Sequence, residues 1–212
     1  MPRGGGGLWP SRRTSRRSGW EMRNERLHRL VMIGMLGALA FLLMFFGEIY
    51  VPPFAEFLRY DPGDIPAIVA TYTLGPAAGV AIQGIKVGLF ILSGKGSTGW
   101  IGGLANFTAG SALVIAAGVS HRLFDRAGLK HWIWTFLSAV IGTVIMAAIL
   151  IPANALFIYP LWGMQGTAAW VGALTLSTPF NLFKGMLSTS ISLAFYRRLE
   201  PFLLGRAADR VA

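Results

Sequence analysis

"TPFNLFKGMLSTS", residues 178–190, lies inside a long apolar tract yet carries Asn181 and Lys184 three residues apart. A lysine at the centre of a bilayer costs about 2.5–3.5 kcal/mol on insertion scales, so what Lys184 faces decides how the tract must fold. Ser177, Asn181, Lys184, Ser188 and Ser192 recur at spacings of four, three, four and four. That spacing places them on one face of a helix. Leu182, Phe183, Met186 and Leu193 are assigned to the opposite face. A polar stripe on an apolar span faces protein or a water-filled cavity rather than lipid. Ser177 or Thr178 is the expected helix cap, with Pro179 in the first turn. Two readings of Lys184 compete. At about 8 Å below Pro179 its amine can snorkel to the outer interface. Snorkelling does not account for Asn181 one turn above on the same face, which favours a ligand-facing pair.

Composition widens this reading to the whole chain. Its 212 residues are 54% hydrophobic and 13% charged, about half the charge of an ordinary soluble domain, which places it in the membrane class. There is no cysteine, which excludes disulfides, thiolate metal sites and a cysteine nucleophile. His28, His121 and His131 sit at the edges of apolar runs, and no metal site is expected from them. The net charge of +10 raises nucleic acid as a partner, but its distribution argues against that. Eight arginines lie between Arg3 and Arg29, and further basic residues cluster at Arg122, Arg126 and Lys130 and at Arg197, Arg198, Arg206 and Arg210. Clusters between apolar runs follow the positive-inside rule. The Gly- and Arg-rich start is expected to be disordered. Its Arg-Arg pairs resemble an export signal, but the small-residue motif at Ala38–Ala40 lies within a continuing apolar run, which favours an uncleaved first span.

The chain then divides into spans. Residues 30–47 form the first. The acidic stretch "EIYVPPFAEFLRYDPGD", with Glu48, Glu56, Asp61 and Asp64 against Arg59, is placed outside. Residues 65–74 and 77–92, separated by Gly75–Pro76, are read as a tight helical pair, the first being only about 15 Å long. The Gly/Ser loop "SGKGSTGWIGG" precedes a span over 104–120, the basic loop "HRLFDRAGLKH" and a span over 132–151. Residues 152–170 read as an aromatic loop, with Tyr159, Trp162 and Trp170 at the interface. The last span covers 179–196. The expectation is an all-α membrane protein of six transmembrane helices with both termini cytoplasmic. It is divided into a basic tail over 1–28, a membrane domain over 29–200 and a C-terminal tail over 201–212.

Other polar residues within the spans narrow the chemistry. Asn154 in "IPANALFIYP" donates and accepts, which suits a heterocycle edge or, equally, a helix end. Lys86 pairs with an external carboxylate or snorkels, and Asn106 caps a helix or lines a pocket. Gly34 and Ala38 form a small-xxx-small face. "GKGST" lacks the glycine spacing of a phosphate loop, which excludes ATP hydrolysis by that route. No Ser-His-Asp set and no HExxH occur, and nothing in the sequence orients the loop acids Glu48, Asp61 and Asp64 for catalysis.

"LRYDPGDIPAIVATYTLGPAAGVAIQGIK", "GSTGWIGGLANFTAG" and "PFNLFKG" resemble, in order, the membrane-embedded S component of energy-coupling factor (ECF) vitamin transporters, riboflavin type. The resemblance covers about residues 30–198. It implies a riboflavin-binding subunit of the cell membrane that is no enzyme and carries no cofactor beyond its transported ligand. Its implied partners are a transmembrane coupling subunit, two ATPases and membrane lipid. Asn154, Asn181 and Lys184 match the residues that hold the flavin ring, and Gly34 and Ala38 the face that meets the coupling subunit. Gly103 stands where the family commonly has glutamate, which keeps another vitamin or a flavin precursor open as ligand. An intramembrane enzyme is the alternative from a different class.

Overall fold

The computed structural model describes residues 19–95, 99–125 and 131–203. At its centre is the shortest of the expected spans. Helix α2 (Asp64–Thr73) buries eight of its ten residues, and a helix buried all round is enclosed by other helices. Its neighbours are α1 (Gly19–Gly47), α3 (Pro76–Leu92), α4 (Gly99–Asp125) and α8 (Thr178–Leu203). Ala67, Ile68 and Ala70 of α2 meet Ala40 of α1, Ile82 of α3, and Leu113, Val114 and Ala117 of α4 in the main core. The α2–α3 turn passes through Gly75 at φ +97, where a side chain would be strained and would collide with the Arg122 guanidinium. Pro76 then opens α3, its fixed φ suiting the first turn.

Between α1 and α2 the chain makes a two-stranded antiparallel ribbon. Strand β1 (Ile49–Tyr50) pairs with β2 (Arg59–Tyr60), Ile49 opposite Tyr60 and Tyr50 opposite Arg59. The sequence places this stretch on the outer side of the membrane and lets Lys86 pair with one of its carboxylates. Asp61 and Asp64 are fully buried within the protein, and Lys86 of α3 pairs with both, at 2.6 and 2.5 Å.

The aromatic loop expected over 152–170 is mostly helix. Helix α5 (His131–Ala153) runs through Pro152 into a π-helical turn (Asn154–Ile158) and ends as α6 (Tyr159–Leu161). The wider turn carries the helix past a proline that offers no N–H, and the Tyr159 N–H reaches the Asn154 carbonyl. Tyr159 is thereby drawn inside, while Trp162 and Trp170 remain exposed.

The last helix likewise starts earlier than expected. Helix α7 (Thr167–Gly172) continues through a second π-helical turn (Ala173–Ser177) into α8. Thr178 therefore caps nothing and donates back to the Ala173 carbonyl at 2.8 Å. Only 162–166 separate the two helical tracts, with Gly163 and Gly166 at positive φ. Of the basic tail expected over 1–28, residues 1–18 lie outside the described residues and Gly19 onward is helical. Arg126, Lys130, Arg206 and Arg210 also lie outside them.

Among the described residues, three tracts are long and apolar enough to cross a membrane: Arg23–Gly47, Gly99–Asp125 and Ile133–Leu161. Their outward apolar side chains, such as Met35, Phe136 and Val144 at more than half exposure, match a lipid environment.

Helices α4 and α5 approach closely at Gly142, where an added Cβ would lie 2.7 Å from Ala117 Cβ and 3.0 Å from its backbone nitrogen. Overpacking of this kind costs about 1–3 kcal/mol. Gly142→Ala is expected to lower the thermal midpoint of the detergent-solubilised protein by several degrees, whereas Gly34→Ala, with open space around the position, keeps or slightly raises it because alanine is the better helix former. Equal midpoints in both variants and the parent would refute the close approach.

Candidate functional site

The polar stripe of α8 is buried along its length: Ser177, Asn181, Lys184, Ser188 and Ser192 are all at or below 6% exposure. The opposite face is only partly as expected. Met186 is exposed, but Phe183 stacks near Phe54 at 5.4 Å and Leu193 packs on the core. The stripe divides into two parts. Ser188 reaches Tyr60 and Ser192 reaches the Ile65 carbonyl, each at 3.4 Å, so this half ties α8 to the ribbon and α2. Ser177, Asn181 and Lys184 instead line a cavity that is open to one side and encloses about 590 Å³ when the open space at its mouth is included.

The cavity has two kinds of wall. Phe57, Tyr159 and Trp162 form an aromatic group with centroid separations of 5.5–6.3 Å. The Tyr159 hydroxyl is fixed 2.5 Å from that of Ser177. The π-helical turn at Asn154–Ile158 brings Asn154, Ile158 and Tyr159 together into the cavity lining. The polar wall carries Asn106, Asn154, Asn181 and Lys184, with Glu48 and Arg59 contributed by the ribbon segment. Asn154, Asn181 and Lys184, singled out from the sequence, thus share one cavity, and Asn106 lines it rather than capping α4. Gly103 does not line it and lies against Ile91 and Val87. Gly34 and Ala38 are exposed on α1, remote from the cavity lining.

Beneath the polar wall sits the ion cluster. The Asp64 Oδ2 meets Lys184 Nζ at 3.0 Å as an ion pair without hydrogen-bond alignment. Its Oδ1 accepts from Lys86 at 2.5 Å and from the Gln83 amide at 2.9 Å. Asp61 takes Lys86 on one oxygen at 2.6 Å and the Gly63 N–H on the other at 2.7 Å. Asn106 bridges the two halves, accepting from Lys184 at 3.0 Å and donating to Asp61 at 3.2 Å. The sequence reading passed over Asp61, Asp64 and Gln83 as site components. The available signal was an excess of unlike charges, Asp61 and Asp64 against Lys86 and Lys184, within segments otherwise apolar enough to be buried. Among the described residues, no group of three or more His, Cys, Asp or Glu side chains suits a metal ion.

At the cavity mouth, burial and then the nearby Asp61 carboxylate push Glu48 above the ordinary carboxylate range, against the opposing pull of Arg59, Lys184 and Lys95. A carboxyl raised in this way favours the folded state while protonated and loses that contribution as pH rises through its folded pKa. Glu48→Gln is therefore expected to raise the thermal midpoint of the ligand-free protein at pH 7. The gain should close near pH 4, about the unfolded value. A variant with no advantage at pH 7 would contradict this.

The comparisons with known proteins agree with one another. Residues 28–196 match the family model "ECF transporter, substrate-specific component". The chain is similar to the riboflavin transporter RibU of Staphylococcus aureus (strain TCH60), 32% identical over 181 residues, covering 82% of this chain and 92% of that protein. It is also similar to the riboflavin transporter FmnP of Bacillus subtilis (strain 168), 29% identical, covering 84% and 95%. A solved structure described as the S component of a bacterial ECF transporter superposes with TM-score 0.70 at 30% identity, covering 84% of this chain and 98% of that one. The family match, which spans most of the chain and the whole cavity-forming region, makes this protein a member of the substrate-specific component family of ECF transporters.

Proposed function

We propose that the chain captures riboflavin from outside a prokaryotic cell and delivers it inward together with an ECF transmembrane coupling subunit and two ATPases. The observation that carries this reading is the single cavity that joins an aromatic wall to Asn154, Asn181 and Lys184. A flavin is a fused ring system with apolar faces and one edge of carbonyl oxygens and ring nitrogens. Aromatic side chains suit the faces. Amides that donate and accept, with one ammonium donor, suit the edge. The relatives named as riboflavin transporters support the same ligand. The chain is a transporter component and not an enzyme.

The reading includes a plasma-membrane topology of six spanning segments: α1, α2, α3, α4, α5 to α6, and α7 to α8. Both termini lie in the cytoplasm. It is supported by the basic residues of the α4–α5 connection and by Arg197 and Arg198 near the end of α8, which the positive-inside rule assigns to one side. The cavity and its acidic ribbon then open outward. Helix α2, too short to cross alone, serves as a span because its neighbours enclose it and shield it from lipid.

Purified in detergent, the protein is expected to carry or bind riboflavin, with flavin absorption bands and quenching of added riboflavin fluorescence. A colourless preparation with no quenching at micromolar riboflavin would overturn the reading. A hydrogen bond from a charged donor is worth about 1.5–3 kcal/mol, so Lys184→Met is expected to weaken riboflavin binding by roughly 10- to 150-fold. Asn181→Leu should weaken it as well. Unchanged affinity in both variants would remove these residues from the site.

Gly34 and Ala38, exposed on one face of α1, let another helix approach closely. In this reading they meet the coupling subunit. Replacing both with Trp is expected to abolish ATP-driven uptake with partners present while riboflavin binding by the isolated subunit is retained. Full uptake would show that this face makes no essential contact.

A further inference from the structure

Lys184 has two partners besides the cavity: the Asp64 carboxylate and the Asn106 amide oxygen, each at 3.0 Å. An ammonium has three N–H donors. Asn106 takes one donor, and Asp64 holds the ammonium by charge without hydrogen-bond alignment, so the two contacts fix its position and leave N–H donors for the cavity. Asp64 is itself immobilised. It is fully buried, held through Oδ1 by Lys86 and Gln83 of α3, and placed by the first turn of α2. Asn106 is steadied in turn by its donation to Asp61. Lys184 reaches these partners on a flexible four-carbon stem that carries about 2 kcal/mol of rotamer entropy. The cluster also balances charge, with two carboxylates against two ammonium groups. The cavity wall thus presents a positioned donor with its charge already compensated, which matches an uncharged carbonyl or ring-nitrogen acceptor.

We propose that Asp64 is the positioning residue of the binding site: it acts through Lys184, fixing that ammonium so that a remaining N–H meets a neutral acceptor on the ligand. The ligand half of this statement rests on the riboflavin reading above; the hold on Lys184 does not.

The test separates the two. Exchanging a buried ion pair for apolar side chains of similar volume is often neutral for stability, so the central variant is Asp64→Leu/Lys86→Met. Asp64→Asn, which keeps the side-chain shape, serves if the exchange does not fold. Folding is judged by the thermal midpoint and elution profile. In ligand-free protein, reductive methylation with formaldehyde is read by peptide mass spectrometry, with the exposed Lys95 as internal standard. Lys184 is expected to be protected in the parent and methylated several-fold faster in the Asp64 variants. Riboflavin affinity is then measured in the parent, in the Asp64 variant, in Lys184→Met and in the combination. The Asp64 variant is expected to lose about tenfold or more in affinity. In the Lys184→Met background the same change should cost about threefold or less, because a residue that acts only through Lys184 has nothing left to position.

Equal methylation of Lys184 in parent and variant would overturn the positioning role, and so would losses that multiply independently in the combined variant. A parent that binds no riboflavin, or a Lys184→Met variant that binds as well as the parent, would overturn the ligand half and the riboflavin contact together. Faster methylation in the variant would in that case leave Asp64 as the residue that fixes Lys184.

Discussion

Two carboxylates and two ammonium groups inside a membrane domain constrain everything around them. Asp61, Asp64 and Lys86 have no solvent exposure and Lys184 has almost none. Removing one member of such a group leaves a buried charge uncompensated, at a cost of about 3–5 kcal/mol, so each element that contributes a member is tied to the others. The ribbon end supplies Asp61, α2 supplies Asp64, α3 supplies Lys86 and α8 supplies Lys184. Asn106 brings α4 into the same network. Four stretches distant in sequence, the ribbon end with α2, then α3, α4 and α8, are thereby held in register, and the cavity is what remains above them.

The close fit of the ribbon end on this cluster explains why the polypeptide there is so small. Any Cβ at Gly63 would collide with the Ala40 carbonyl and crowd Asp61 and the Lys86 stem. The same segment carries Phe57 and Arg59 into the cavity wall. Cavity-lining residues and charge-cluster residues therefore sit within a few positions of each other, which links the geometry of the mouth to the stability of the interior.

A second constraint comes from the two π-helical turns. Each inserts extra backbone into a turn without ending the helix, and they face one another across the cavity wall. One brings Asn154, Ile158 and Tyr159 together into the cavity lining; the other presents Ser177 to the Tyr159 hydroxyl at 2.5 Å. Regular α-helices through both tracts would rotate these side chains relative to Asn181 and Lys184. Apart from the Gly34/Ala38 face of α1, the outward faces of α1, α4 and α5 carry none of this specificity. They are aliphatic and aromatic, and contact with lipid asks only that they be apolar.

Much of the molecule was legible in the sequence because lipid allows few solutions. Long apolar runs had to become helices, Gly75–Pro76 had to separate two of them, and the spacing of Asn181, Lys184, Ser188 and Ser192 had to place them on one protected face. That reasoning located α1, α3, α4 and the binding candidates Asn154, Asn181 and Lys184, and the residues quoted around them already resembled the right family. It misplaced the ends of the last two helical tracts, because Pro152 and the aromatic run after it carry the local signature of a break. Only a widened turn backed by tertiary packing lets the helix continue. The same reasoning allowed Lys86 an external carboxylate as partner but did not foresee that Asp61 and Asp64 are both buried around it. A carboxylate belongs in water unless a cation waits for it inside, and the cation that makes burial of these two favourable, Lys86, lies 25 and 22 residues further along the chain. Periodicity reports which face of a helix is protected; the partner that a buried charge finds there is set by how the helices assemble.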